Sequence, residues 1–168
     1  MGAMRLRYGL LAPIVCALLL ATPARAFADL TGFLGVTTTP SNRPAKGFAI
    51  GAGLLIVGME FEYASTNDDL VEQAPRLRTF MFNGLLQTPV PIAGFQLYGT
   101  AGGGVYRETL DGAIDPSRTN VGINIGGGAK VNLAGPLRLR FDYRVFTLKG
   151  SPRHANVQRF YAGINLKF

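Results

Sequence analysis

The chain contains 168 residues, with 17 Lys and Arg against 10 Asp and Glu, a formal net charge of +7 and a single cysteine. This length fits one domain, and one cysteine excludes an internal disulfide or a thiolate metal site. A basic chain could suit nucleic acid. The sequence has no basic stripe, helix-turn-helix pattern or base-stacking motif, however, so we exclude nucleic acid as a partner.

Residues 1–26 predict a cleaved secretory signal. Two arginines precede an uncharged apolar run at residues 10–21, and Ala24-Arg25-Ala26 supplies a small-residue cleavage site; cleavage after Ala28 is the alternative. The run is shorter than the roughly 20 residues that a membrane-spanning helix needs. We therefore expect an exported domain over residues 27–168, with no cysteine and with 14 basic against 10 acidic residues.

From Leu30 onward, apolar and polar residues alternate in segments of about ten residues, separated by clusters of Pro, Gly, Asn, Asp and Ser. A period of two is typical of strands, and no segment keeps the periodicity of a helix. The sequence therefore predicts an all-β fold with eight strands. We place them at residues 30–38, 47–55, 57–65, 78–88, 95–107, 120–133, 137–148 and 157–168.

The connections between these strands alternate between short and long. The short ones are Ile56–Gly58, Pro89–Gly94 and Ala134–Pro136. The long, more polar ones are Pro40–Lys46, Thr66–Arg76, Thr109–Arg118 and Lys149–Asn156. An even strand number with short periplasmic turns and long outside loops is typical of outer-membrane barrels, and a β-sandwich follows no such rule.

Because loops on a rigid scaffold carry recognition, we expect the outside loops to bind any partner. Their acidic residues are Asp68, Asp69, Glu72, Asp111 and Asp115.

Charged residues share one face of the predicted strands. On the seventh strand, Arg138, Arg140, Asp142 and Arg144 alternate with apolar residues. An arginine facing lipid at the bilayer midplane costs roughly 2 to 4 kcal/mol, so this face must line the lumen. The same phase predicts six basic and three acidic residues inside: Lys130, Arg138, Arg140, Arg144, Arg159 and Lys167 against Glu60, Glu62 and Asp142.

These inward charges predict a buried network. An ion buried alone costs several kcal/mol, and Glu60, Glu62, Arg138 and Arg140 each follow a periplasmic turn closely, so we expect these four to meet across the lumen. The alternatives are separate solvation of each charge, or a narrow anion path lined by the basic surplus. Eight strands leave an interior just wide enough for side chains, which favours a closed lumen.

The mature chain resembles the OmpA-type outer-membrane β-barrel family over residues 27–168. Four motifs carry the resemblance: Leu30-Thr31-Gly32-Phe33-Leu34-Gly35, Gly58-Met59-Glu60-Phe61-Glu62-Tyr63, the Tyr98–Val105 strand with Gly102–Gly104, and Tyr161-x-Gly163-x-Asn165-x-x-Phe168. The resemblance implies an eight-stranded antiparallel up-and-down transmembrane β-barrel in the outer membrane, among outer-membrane lipids and lipopolysaccharide. It also implies that Tyr161, Gly163 and Phe168 form a signal for the barrel assembly machinery. The chain ends at the barrel, so we expect no peptidoglycan-binding domain.

The expected role is non-enzymatic: a monomer with a structural, envelope-stabilising or surface-interaction function and no cofactor or metal. Lipid A-modifying enzymes also use small barrels, and Ser151 and His154 are a nucleophile and a base three residues apart. Their loop carries no acidic residue to orient the imidazole, so an ordinary loop is favoured. A soluble carrier barrel is disfavoured because it would bury apolar residues where this chain buries charge. The glycine clusters fit no phosphate-binding motif and are interpreted as structural.

Overall fold

The structure of the protein is a computed structural model that describes residues 26–109 and 117–168. The predicted signal at residues 1–26 therefore lies outside the described residues, except for its last residue, and so do Asp111 and Asp115. Within the described residues, no helix is long and apolar enough to cross a membrane.

Eight antiparallel strands form a closed barrel in sequence order, and the first strand pairs with the last. This confirms the predicted all-β, eight-stranded up-and-down barrel. The strands are β1 Ala26–Thr37, β2 Arg43–Leu54, β3 Val57–Thr66, β4 Arg76–Gln87, β5 Phe95–Thr109, β6 Ser117–Ala134, β7 Leu137–Leu148 and β8 Asn156–Lys167.

Several strands extend beyond their predicted ends. β2 begins at Arg43 although the prediction began at residue 47, because the ladder with β1 continues through Pro44 to the pair of Thr37 and Arg43. Proline has no N–H to donate, but its carbonyl oxygen accepts a hydrogen bond from the N–H of Asn67 at 3.0 Å. β1, β5 and β6 are likewise longer than predicted, and the added residues include charged ones that enter the lumen.

The two ends of the barrel differ, as the loop lengths predict. Leu55, with a φ of 49°, and Ile56 join β2 to β3, and Gly135, with a φ of 54°, and Pro136 join β6 to β7. Residues 67–75 and 149–155 form longer connections at the opposite end. The alternation is not strict, because residues 88–94 at the short-turn end form a longer connection than residues 38–42 at the other end. We call the long-loop end the outer end and the short-turn end the inner end, following the rule for outer-membrane barrels.

Residues on the two faces of the wall differ in polarity, and the lumen face is the polar one. On β7 and β8 the outward positions are apolar, for example Phe141 at 49% and Phe160 at 51% exposure, whereas Arg140 and Arg159 are fully buried inside. One predicted lumen residue is an exception. Lys167 is exposed at the inner end, where its Nζ lies 5.5 Å from the ring centroid of Phe27. The strand ends there, so the side chain reaches solvent without entering the lumen.

Candidate functional site

The centre of the lumen holds an ion-pair network that we call the central network, formed by Glu60, Glu62, Asp142, Arg140, Arg144 and Arg159. Each of these side chains is at most 4% exposed. Three carboxylates face three guanidinium groups, so the network has no net charge. Burial on this scale requires pairing, since an unpaired ion inside a barrel would cost several kcal/mol.

Glu60 links two of the arginines. Its Oε2 accepts a hydrogen bond from Arg140 Nη1, and its Oε1 accepts from Arg140 Nη2 at 3.2 Å and from Arg144 Nη2 at 2.7 Å. Asp142 also contacts both arginines: Oδ2 accepts from Arg140 Nη2 at 3.0 Å and Oδ1 from Arg144 Nε at 2.9 Å. The two guanidinium groups are thus held by the same pair of carboxylates.

Two tyrosines add hydrogen bonds to the central network. The Tyr98 hydroxyl accepts from Arg140 Nε at 2.7 Å and donates to Asp142 Oδ2. The Tyr161 hydroxyl accepts from Arg144 Nη2 and donates to Glu62 Oε2, both at 3.2 Å. Neither tyrosine was among the predicted network residues, although both lie on the inward phase of their strands.

Glu62 and Arg159 form the outer part of the central network. Arg159 Nη1 donates to Glu62 Oε1 at 3.2 Å, and Arg159 Nη2 donates to Thr79 Oγ1 at 3.3 Å. Arg144 Nη1 lies 3.1 Å from Glu62 Oε2, an ion pair too oblique to count as a hydrogen bond. The Arg159 guanidinium carbon lies 4.5 Å from the ring centroid of Phe146, so the charges end against an apolar layer.

Arg138 does not meet Glu60 or Glu62, contrary to the prediction. It lies nearer the inner end, where its Nη1 donates to Gln96 Oε1 at 2.9 Å and its Nη2 lies 3.8 Å from Asp29 Oδ2. Asp29 also accepts a hydrogen bond from Lys130 Nζ at 2.6 Å. Equal distance from a turn does not place two side chains at equal depth, because barrel strands are tilted and staggered.

The basic surplus inside the lumen is smaller than predicted. The buried charged residues are Arg43, Lys130, Arg138, Arg140, Arg144 and Arg159 against Asp29, Glu60, Glu62, Glu108 and Asp142. Six basic residues therefore face five acidic ones among the described residues. Sequence reasoning missed Asp29, Arg43 and Glu108 because each lies beyond the predicted end of its strand.

An apolar cluster fills the lumen above the central network. It consists of Leu77, Met81, Tyr106, Phe146, Leu148 and Val157, each at most 3% exposed. Phe146 and Leu148 continue the inward phase of β7 beyond the last arginine, so the alternation of that strand was the signal that could have predicted them. A layer of this kind excludes water from the outer half of the lumen.

Arg43 lies between the apolar cluster and the outer loops. Its guanidinium donates to three backbone carbonyl oxygens: Thr39 at 2.9 Å, Asn67 at 3.2 Å and Pro75. These contacts connect the β1–β2 turn to the β3–β4 loop. A second contact has the same effect, since the Ser41 hydroxyl donates to Asp69 Oδ2 at 3.0 Å.

Ser151 and His154 lie on the β7–β8 loop at the outer end. Neither side chain makes a hydrogen bond within the part of the chain that the structure describes. The loop itself carries no acidic residue, but one carboxylate from β5 lies close to it: Glu108 accepts a hydrogen bond from the N–H of Arg153 at 3.2 Å. The carboxylate thus holds the backbone of the loop. The described residues contain no group of three or more His, Cys, Asp or Glu side chains that could hold a metal ion.

The predicted assembly-signal residues occupy different environments. The Tyr161 ring is buried and stacks on Phe33 with ring centroids 4.0 Å apart, whereas the Phe168 ring is 74% exposed. A Cβ at Gly163 would lie 2.5 Å from the carbonyl oxygen of Gly32, so this position requires glycine for close packing. Recognition of the three residues by an assembly machinery stays a prediction.

The sequence matches the family described as outer membrane protein beta-barrel domain over residues 14–168. The chain therefore belongs to this family, and the resemblance to OmpA-type small barrels is confirmed. A comparison with curated proteins finds no significant match.

Several solved barrels have a similar structure. The N-terminal barrel of Pseudomonas aeruginosa OprF is 14% identical, with 84% of this chain and 97% of that chain covered and a TM-score of 0.67. A major outer membrane protein from Thermus thermophilus is 13% identical, with 86% and 100% covered and a TM-score of 0.64. The outer membrane enzyme PagL is 12% identical, with 82% and 98% covered and a TM-score of 0.53. At these identities the likeness shows the fold alone.

Proposed function

We propose that this protein is a non-enzymatic outer-membrane barrel with a structural role, whose lumen is sealed and whose outer loops form its interaction surface. The proposal includes export by cleavage of residues 1–26 and insertion as a monomer with the long loops outside.

The single observation that carries the proposal is the filling of the lumen. Arg140, Arg144 and Arg159 have no exposed surface, and each side chain of the apolar cluster beyond them is at most 3% exposed. The central network would have to break its ion pairs before an ion could pass. Breaking one buried pair costs roughly 3 to 5 kcal/mol, which disfavours a constitutively open state.

An anion-selective pore is the first alternative, and the balance of lumen charges argues against it. An anion path needs a row of positive groups that face water. The buried arginines instead share carboxylates at 2.7 to 3.2 Å and leave a surplus of one positive charge among the described residues.

A lipid-modifying enzyme is the second alternative. A groove of about 630 Å³ lies on the lipid-facing wall, bordered by Leu34, Phe141 and Phe160. Asp142 and Tyr161 also line this groove, but both side chains point into the lumen, where they already form hydrogen bonds in the central network. A lipid-cleaving site needs a nucleophile and a base within hydrogen-bond reach of each other, and the residues that line this groove include no such pair.

Planar-bilayer recording tests the sealed lumen. The protein is purified from the outer membrane fraction, and its folding is checked by faster gel migration before boiling than after. We expect this folded protein to show no unitary conductance. The control opens both layers of the lumen: Glu60→Ala, Arg140→Ala and Arg144→Ala in the central network are combined with Tyr106→Ala and Phe146→Ala in the apolar cluster. This variant should conduct while it still migrates as a closed barrel. Stable anion-selective channels from the wild-type protein would contradict the proposal and favour the pore.

A further inference from the structure

A row of polar side chains crosses the outward face of five neighbouring strands near the outer end. Strand pairing aligns Lys46 with Ser65, Ser65 with Arg78, Arg78 with Arg107, and Arg107 with Thr119. We call these five residues the basic row. Its three charged members are exposed and lie on the lipid-facing phase of β2, β4 and β5. Neighbouring strands are about 4.8 Å apart, so these charges span roughly 15 Å of the barrel surface.

Aromatic rings directly below fix the depth of the basic row. The next outward positions towards the middle of the barrel are Phe48, Tyr63 and Phe80, which pair across β2, β3 and β4. Their ring centroids are 5.7 and 4.8 Å apart. Aromatic girdles lie where the hydrocarbon layer meets the headgroups. Two residues along a strand span about 7 Å, so the basic row lies among the headgroups.

The charges of the basic row have no counter-charge among the described residues. Arg78 and Arg107 lie directly opposite each other on neighbouring strands, an arrangement in which like charges repel. Neither of them, nor Lys46, forms an ion pair within the part of the chain that the structure describes. Arg76, one outward position further out, shows the contrast, since its Nη2 lies 3.1 Å from Asp68 Oδ1.

We propose that the basic row binds the phosphate groups of an anionic lipid headgroup in the outer leaflet. The inference deepens the proposed function and rests on its membrane orientation. Two adjacent guanidinium groups can hold a phosphate through paired hydrogen bonds, which also removes their mutual repulsion. The hydroxyls of Ser65 and Thr119 flank the charges and can donate to further phosphate oxygens. The aromatic rings below would contact the acyl chains of the same lipid.

Titration of the purified protein with diphosphorylated lipid A in neutral detergent tests this inference, with native mass spectrometry as the readout. The variant Arg78→Gln with Arg107→Gln removes the facing pair. The matched control, Lys149→Gln with Arg153→Gln, removes two positive charges from the outer end but away from the basic row. A basic residue near an anionic lipid surface contributes about five-fold in affinity, so the first variant should bind about thirty-fold more weakly. The control should stay within about two-fold of the wild-type protein.

Two further ligands identify what is bound. Dephosphorylated lipid A with the same acyl chains should bind as weakly to the wild-type protein as lipid A does to the Arg78 and Arg107 variant. Inorganic phosphate at the lipid concentration should not compete. Equal binding of the dephosphorylated lipid would overturn phosphate recognition. Competition by inorganic phosphate would show that the basic row binds free anions, and it would overturn the lipid headgroup as the ligand. Equal losses of lipid A affinity in the two variants would show that binding depends only on the net charge of the protein, and they would overturn the basic row as a specific site.

Failure of this inference is distinguishable from failure of the proposed function. Gel mobility before and after boiling reports barrel closure for each variant, and bilayer recording reports the lumen. Unchanged lipid affinity in a closed, silent Arg78 and Arg107 variant would overturn only the basic row as a lipid site. An open channel with intact lipid selectivity would overturn only the sealed lumen.

Discussion

Replacing Glu60 with glutamine removes one negative charge from the central network and leaves the side-chain volume nearly unchanged. Three guanidinium groups would then face only the carboxylates of Glu62 and Asp142. The hydrogen bonds that Arg140 and Arg144 donate to Oε1 would end on a neutral amide oxygen and no longer on a carboxylate. Removing one partner of a buried ion pair costs roughly 3 to 5 kcal/mol. We expect the free energy of unfolding to fall by that amount in Glu60→Gln.

The assay is urea unfolding in lipid vesicles, followed by circular dichroism and gel mobility because the protein has no tryptophan. Glu72→Gln is the matched control, since Glu72 is exposed on an outer loop, and its effect should stay below about 0.5 kcal/mol. The double variant Glu60→Gln with Arg140→Gln should recover part of the loss, because neutralising both partners leaves less uncompensated charge. A change below about 0.5 kcal/mol in Glu60→Gln itself would refute the central network as a source of stability.

Three other predictions follow from the packing and the loops. Phe146→Ala empties space inside the fully buried apolar cluster and should cost about 3 to 5 kcal/mol in the same unfolding assay; a loss below about 1 kcal/mol would mean that the lumen there is loosely filled. Gly104→Ala should block barrel closure on gels because its Cβ would clash with the backbone carbonyl oxygen of Phe80. Gly103→Ala should close normally, because its nearest contact would be at 3.4 Å. The pKa of Asp69 is lowered, first by the hydrogen bond from the Glu72 N–H and next by one from a serine hydroxyl. Because the folded-state pKa is lowered, ionised Asp69 stabilises the loop at pH values above the unfolded pKa of about 3.9, and this stabilisation is lost as the pH falls through the folded pKa. The amide resonances of residues 70–72 should therefore shift at acid pH in the wild-type protein but not in Asp69→Asn.

The direction of the charged side chains could be predicted from sequence because it depends only on alternation along a strand. Arg140 and Arg144 share a phase with each other and oppose Phe141, and a charge on the lipid side would be costly. This local rule involves neither strand pairing nor tilt. It therefore held for every predicted lumen residue except Lys167 at the end of β8.

The partners of those side chains could not be predicted, because they depend on strand stagger and on exact strand ends. Arg138 was paired with the wrong carboxylates because depth in a tilted barrel is not distance from a turn. Asp29, Arg43 and Glu108 were missed because each lies outside a predicted strand, and strand ends are the least certain feature of sequence patterns. Those three residues, together with the exclusion of Lys167 from the lumen, reduced the surplus of positive charges from three to one, which weakens the pore alternative.

The basic row was also invisible in the sequence alone. Its members lie on five different strands, and no two of them are closer than twelve residues along the chain. Only the pairing register places Arg78 beside Arg107 and sets Lys46 at the same level. Such a surface is a property of the closed sheet.

Water access to the lumen tests the central claim most directly. Residues 27–168 contain no cysteine, so a single thiol can be introduced at Thr79, which is fully buried between the central network and the apolar cluster, or at Val71, which is 91% exposed on an outer loop. With a charged, membrane-impermeant thiol reagent, the folded Val71→Cys protein should label rapidly, whereas Thr79→Cys should label only after the barrel is unfolded. Labelling of Thr79→Cys in the folded barrel at the rate of Val71→Cys would show a water-filled lumen and contradict the sealed barrel.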